Sequence, residues 1–301
     1  MFASDPAAAQ SFTFERTLPA SAAIVVDLST SRGTITIEAG DDDEVIVSGT
    51  ATVRTGFNVP LNARELAGRI ASQPPVSVNG KTIRLREAAD PMMRAAATVS
   101  YRVKMPAGGS VVAVTESGAV RVDAITGAVS VRTESAEIAI AGAEGSLKAT
   151  SQSGAIRVAG TPGAAWDIST RSSQIGVTLT GAATLDATSR SGEVTVEPTM
   201  TNGETTGTRS SGTIKGGGPT VRLVSVSGAI AVRVAQSPSA DTQLRSRLET
   251  PGTSRGWTCR SSTRGTSSPF LLQRHAHLRA DAPVQFPAEP EFWRHEPPIV
   301  W

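Results

Sequence analysis

Charged side chains return in this sequence at a nearly constant step. Glu116, Glu134, Gln152, Arg171 and Arg190 follow one another at 18, 18, 19 and 19 residues, each two places before a small residue. If the repeats that carry them stack in register, neighbours stand about 4.8 Å apart and the column spans about 20 Å. It then runs from acid to base. Glu116 and Glu134 become near neighbours, and Arg171 and Arg190 could hold one anion jointly. A second column places Arg121 and Arg157 two repeats apart, with Arg132 and Lys148 on the other strand of the repeat. The chemistry on offer is a groove for an acidic polymer. Solvated edge charge, which contributes little, is the competing reading.

Other chemistries find little to work with. The three histidines (275, 277 and 295) and the one cysteine, Cys259, lie near the C-terminus, far from the repeats. Ser/His or Cys/His catalysis would have to recruit that irregular region. One cysteine permits neither an internal disulfide nor a multi-thiolate metal site. Gly216-Gly-Gly-Pro has no following Lys-Ser/Thr and reads as a turn, not a phosphate loop. No cofactor or metal site is expected. The 29 basic against 27 acidic residues argue against a nucleic-acid partner. No run of about 18 apolar residues is present that could span a bilayer as a helix.

The elements that position these charges come from the repeat. Aligned on Gly118, the same pattern returns at Ala136, Gly154, Ser173, Gly192, Gly212 and Gly228. Two places after each anchor stand Val120, Ile138, Ile156, Ile175, Val194, Ile214 and Ile230, all β-branched. Four places after, only Gly216 breaks a run of valine and isoleucine. Seven and five places before, a second pair of mostly apolar columns appears. Each repeat therefore holds two short alternating strands separated by Gly/Ser/Thr turns, with no room for a crossover helix. Stacking such coils makes one continuous core, because no coil can bury its apolar face alone. The coil around Thr205, Gly207 and Gly216 is expected to be the most distorted. Three places before the anchors stand mostly Ser and Thr, and Ser or Thr usually precedes the anchor as well. These hydroxyls are read as satisfying the backbone of tight turns, and the anchor glycines as suiting positive φ.

The expected fold is all-β: a single-stranded, right-handed parallel β-solenoid over 111–235 with coils of about 18 residues. Residues 1–11 read as disordered and 12–110 as a β-rich capping segment. Within that cap Ser29–Ile37 echoes the repeat, with Gly33 near the anchor role. A short helix is expected near 62–72, with Asn62 and Glu65 at capping-box spacing and Ala63, Leu66, Ala67 and Ile70 on one face. Residues 236–301 lose the periodicity and become rich in Pro, Ser and Arg, and read as a disordered or aberrant tail.

The run Val99–Gly109, followed by Ser-Gly-Ala-Val-Arg-Val and Gly-Ala-Val-Ser-Val-Arg-Thr, resembles a bacterial family. That family is the putative-adhesin family of unknown function, also described as a toast-rack β-solenoid domain, and the resemblance covers roughly 12–235. It implies an envelope or extracellular location, no enzymatic activity and no shared active-site residues. Envelope polysaccharide or a surface protein is the partner it points to. Met1–Gln10 carries no basic and apolar signal-peptide pattern, although Ala7-Ala8-Ala9 has the look of a cleavage site. An envelope-stress sensory ectodomain and a carbohydrate-active β-helix enzyme are the two rival functions. The candidate ligand-binding residues are Arg171, Arg190, Arg121, Arg157, Glu116 and Glu134.

Overall fold

The computed structural model describes residues 10–21, 23–56, 59–197 and 200–235. Every described residue belongs to one compact unit. Residues 236–301, with Cys259 and the three histidines, lie outside the described residues, as do 1–9.

The described chain is all-β with two helices. It forms two mixed sheets, here the front sheet of ten strands and the back sheet of eleven. Eight coils each give one strand to the back sheet and one to the front. In spatial order they are I (Thr82–Leu85 and Ala97–Pro106), II (Val25–Thr30 and Ile35–Gly40), III (Ser110–Thr115 and Val120–Asp123), IV (Val129–Thr133 and Ile138–Ala143), V (Leu147–Ser151 and Ile156–Gly160), VI (Trp166–Thr170 and Ile175–Leu179), VII (Thr220–Ser225 and Ile230–Val234) and VIII (Ala183–Ser189 and Val194–Glu197). Neighbouring coils pair in parallel in both sheets. Antiparallel strands close the ends: Glu44–Val53 and Ser11–Pro19 beyond coil I in front, Val76–Asn79 behind, and the hairpin Thr201–Thr206/Arg209–Ile214 beyond coil VIII.

The inward columns are those read from the repeat. Val120, Ile138, Ile156, Ile175, Ile230 and Val194 lie in register and are buried, as are Val111, Val129, Leu147, Trp166, Val221 and Leu185 behind them. Their β-branched and apolar side chains fill the narrow space between the sheets, while the alternate residues face out. The same columns continue into coil II through Val26 and Ile35, and into coil I through Ile83 and Tyr101. The echo at Ser29–Ile37 is thus a full coil.

Two features differ from the sequence expectation. The coils do not stack in chain order: the first and last coils of the chain, II and VII, each sit one place in from an end. The repeat anchored on Gly212 is not a coil at all. It forms the closing antiparallel hairpin, because Thr205, Gly207 and Gly216 supply no inward apolar pair. The insertion of coil VII changes which charges are neighbours. Chain order would set Asp167 directly beside Asp186 and Arg171 beside Arg190, and like charges directly opposite are destabilising. With coil VII inserted, Arg222 stands between Asp167 and Asp186 in register. Arg233 likewise falls beside Glu197.

The turns from back sheet to front are held by hydroxyls. The buried column Thr115, Ser151, Ser225 and Ser189 accepts the anchor amides: Gly118 N at 3.0 Å, and Gly154, Gly228 and Gly192 N at 2.8 Å. One residue before each anchor, a second ladder donates serine hydroxyls to the preceding coil: Ser135 Oγ to Glu116 O at 3.2 Å, Ser172 Oγ to Gln152 O at 3.2 Å, Ser191 Oγ to Val226 O at 3.1 Å. The anchor glycines serve a different purpose from the expected positive φ, which among them only Gly33 adopts. A Cβ at Gly154 would land on the carbonyl of Ala136, and one at Gly228 on that of Ser173. Close approach of successive turns is what requires glycine there.

In the N-terminal region the helix α1 (Ala63–Ser72) buries Ala63, Leu66, Ala67 and Ile70. Asn62 precedes it without a side-chain cap bond, so the capping box does not form. A second helix, α2 (Pro91–Ala96), was not expected. Its signal is Asp90-Pro91: the Asp90 carboxylate accepts from Met92 N at 2.8 Å, with proline in the first turn.

Candidate functional site

The acid-to-base column lies along the turns from back sheet to front, with exposed side chains. Glu134 N donates to Glu116 O at 3.2 Å, Ser153 N to Glu134 O at 2.9 Å and Ser172 N to Gln152 O at 3.0 Å. Glu116, Glu134, Gln152 and Arg171 are therefore consecutive, as expected. The next step is not Arg190. Ser227 N donates to Arg171 O at 3.0 Å and Ser191 N to Val226 O at 3.1 Å, so Val226 separates the two arginines. They stand two spacings apart, about 10 Å, and are not near neighbours. The cause is the insertion of coil VII.

Arg121 and Arg157 are in a different setting. Both lie on the outer face of the front sheet, in register with Ala139 between them. The column continues through Gly176 and Ala231. Beside it runs a second column: Asp123, Ala141, Ala159, Thr178 and Arg233. Alanine and glycine leave the backbone nearly bare, and the result is a shallow trough of about 500 Å³ with arginines along its rim. Arg121 Nε meets Asp123 Oδ2 at 2.6 Å, and Arg157 is paired with Glu137. The Asp123 hydrogen bond, and then its charge, raise the pKa of Arg121 further, so this guanidinium stays charged throughout. Arg233 has no carboxylate within ion-pair distance among the described residues. Sequence reasoning missed it because Arg233 joins this face only once coil VII sits next to coil VI.

A second concavity, about 260 Å³, opens at the N-terminal end between Ser31, Arg54, Glu87 and Arg94. Glu87 and Arg94 are held there by turn and backbone contacts. Glu87 accepts from Ser31 N at 2.5 Å and Ser31 Oγ at 2.7 Å, closing the turn of coil II. Arg94 Nη1 donates to the carbonyls of Ala88 and Ala89 at 2.9 and 2.8 Å. Among the described residues no group of three His, Cys, Asp or Glu side chains is placed to hold a metal, and no helix is long and apolar enough to cross a membrane.

A trough of small residues rimmed by arginines can take an extended ligand lying across the strands, with guanidinium groups reaching its anionic substituents. The Toastrack DUF4097 family matches residues 76–233. Among solved structures, a putative cell adhesion protein from Clostridium sporogenes is 8% identical with a TM-score of 0.41, covering 75% of this chain and 100% of that one. A putative adhesin from Bacteroides fragilis is 12% identical with a TM-score of 0.24, covering 74% and 97%. A putative adhesin from Parabacteroides distasonis is 10% identical with a TM-score of 0.22, again covering 74% and 97%. No curated protein matches the chain.

Proposed function

This chain belongs to the Toastrack DUF4097 family, and from that premise we propose that it is a non-enzymatic adhesion or scaffold module of the cell surface or envelope. In this reading coils III to VI, which follow one another in the chain, wind as a right-handed, single-stranded parallel β-solenoid, and the stack presents the front-sheet trough to acidic polysaccharide. The observation that carries it is the trough itself: arginines at about 10 Å intervals over a floor of Ala139, Ala141, Ala159, Gly176 and Ala231. A floor without bulky side chains lets an extended chain approach the strands. Carboxylates on that chain then meet guanidinium groups in bidentate fashion. None of the described residues lining the trough is aromatic, so they offer no stacking surface for neutral sugar faces.

Co-sedimentation of the full chain with alginate, a polyuronate, at low and high salt tests the reading. Salt-sensitive binding without release of oligosaccharides, weakened in Arg121→Gln/Arg157→Gln, is expected. Release of oligosaccharides would transfer the chain to the carbohydrate-active enzymes. Absence of binding to any acidic polysaccharide would favour a sensory ectodomain with a protein partner.

A further inference from the structure

The part of the trough nearest coil VIII is built by the last coil of the chain. Ala229, Ala231 and Arg233 of coil VII complete its floor and rim. Coil VII reaches its slot through Lys215–Pro219, where Lys215, Gly216 and Gly217 have φ of 51°, 90° and 87° in succession. Such a run turns the chain sharply and puts few packing constraints on it. Lys215 also latches the coil: Nζ donates to the carbonyl of Thr180 at 2.8 Å and to that of Ala235, just past the coil, at 3.1 Å. In the front sheet the coil is held by ladder bonds on both sides, Ile175 N to Ala229 O and Ile230 N to Glu193 O, each 2.9 Å. It is an inserted element entered through a positive-φ turn and tied at that entry by Lys215.

The rim charges are unequal. Arg121 and Arg157 are already paired with Asp123 and Glu137, whereas Arg233 faces no carboxylate within ion-pair distance among the described residues. An incoming anion therefore breaks no ion pair at Arg233, whose strand neighbour Glu197 lies beyond ion-pair distance, and must compete at the other two.

Building on the trough as the polysaccharide site, we propose that Arg233 is its principal anion contact and that ligand binding is coupled to the seating of coil VII. A polyuronate lying across coils V to VII bridges the inserted coil to coils that do not move. It binds the seated form and not a form with the coil displaced, so occupancy holds the coil in place and displacement abolishes binding.

Hydrogen exchange on the full chain, with and without oligomeric alginate, tests the coupling. At a ligand concentration a hundred times Kd, the amides of Val221–Ser225 and Ile230–Val234 are expected to exchange about a hundredfold more slowly, while those of coil II do not change. Arg233→Gln should weaken alginate binding by about tenfold or more, and Arg233→Lys should restore part of it. Lys215→Asn, which loosens the latch without touching the trough, should weaken binding and speed exchange in the same amides. Binding that leaves coil VII exchange unchanged, or that is equally tight in Arg233→Gln, overturns this proposal and leaves the polysaccharide reading standing. No alginate binding at all overturns that reading and this proposal with it.

Discussion

The ammonium group of Lys215 lies 3.1 Å from the carbonyl oxygen of Ala235, so the residue that leads into the last coil is bonded to the residue that leaves it. Its second bond, to Thr180 O at 2.8 Å, ties both to the end of the neighbouring coil VI. Asparagine tolerates the positive φ of this position but cannot reach either carbonyl. Lys215→Asn is therefore expected to lower stability by roughly 1 kcal/mol, a modest value because the side chain is exposed. Thermal unfolding would register this as a loss of roughly 2–4 °C. An unchanged midpoint would show that the latch adds nothing.

Arg222 separates two carboxylates that chain order would have set side by side. Arg222→Asp would place three acidic residues in consecutive strands and is expected to cost roughly 1 kcal/mol at low salt. The loss should shrink in 1 M salt, where the Debye length falls to about 3 Å. Asp167→Arg in the same background should recover part of it. Urea midpoints at two ionic strengths measure both effects, and equal loss at low and high salt would rule out charge as the cause.

The inward columns were legible because every coil repeats the same two strand faces, so Val120, Ile138, Ile156 and Ile175 declare themselves by spacing. Periodicity marks which residue faces the core, but not which coil lies above which, since any coil fits any other. The order of coils VII and VIII was therefore hidden in the hydrophobic pattern. Once coil VII is inserted, Arg222 falls between Asp167 and Asp186, and Val226 between Arg171 and Arg190. Coil I escaped notice because α2 interrupts it between its two strands. The trough was half visible: Arg121 and Arg157 share a column in the repeat, but Arg233 lies in the neighbouring column of the last repeat and meets the trough only because coil VII sits next to coil VI.

Glycine at two neighbouring places answers to different demands. A Cβ at Gly228 would fall on the Ser173 carbonyl, a backbone atom that cannot turn aside, whereas a Cβ at Gly176 meets nothing within 4 Å. Gly228→Ala is expected to destabilise by roughly 3 kcal/mol, in the range of severe packing defects. Gly176→Ala, on the open trough floor, should stay within roughly 0.5 kcal/mol of the parent. Chemical denaturation of the pair compares them directly. Equal effects would mean that the turns do not pack as closely as their glycines imply.

Tyr101 is the one tyrosine of the chain, and it lies in the core with its hydroxyl donating to Arg86 O at 2.9 Å. Burial, and after it the negative charge of Glu87, pushes the phenol pKa well above its ordinary value. The neutral phenol is thus favoured in the folded state, and its contribution is fully present below about pH 10, where the unfolded chain would also be protonated. Above that, the unfolded chain sheds the proton while the folded chain keeps it. Stability should then fall by up to about 1.4 kcal/mol per pH unit until the folded phenol also ionises. Tyr101→Phe removes this term at the cost of roughly 1 kcal/mol for the lost hydrogen bond. The two stability curves, measured by urea denaturation from pH 8 to 11, should differ most at pH 8 and converge toward pH 11. Parallel curves would mean that the phenol is not protected in the fold, and that the end of the core around coil I admits water.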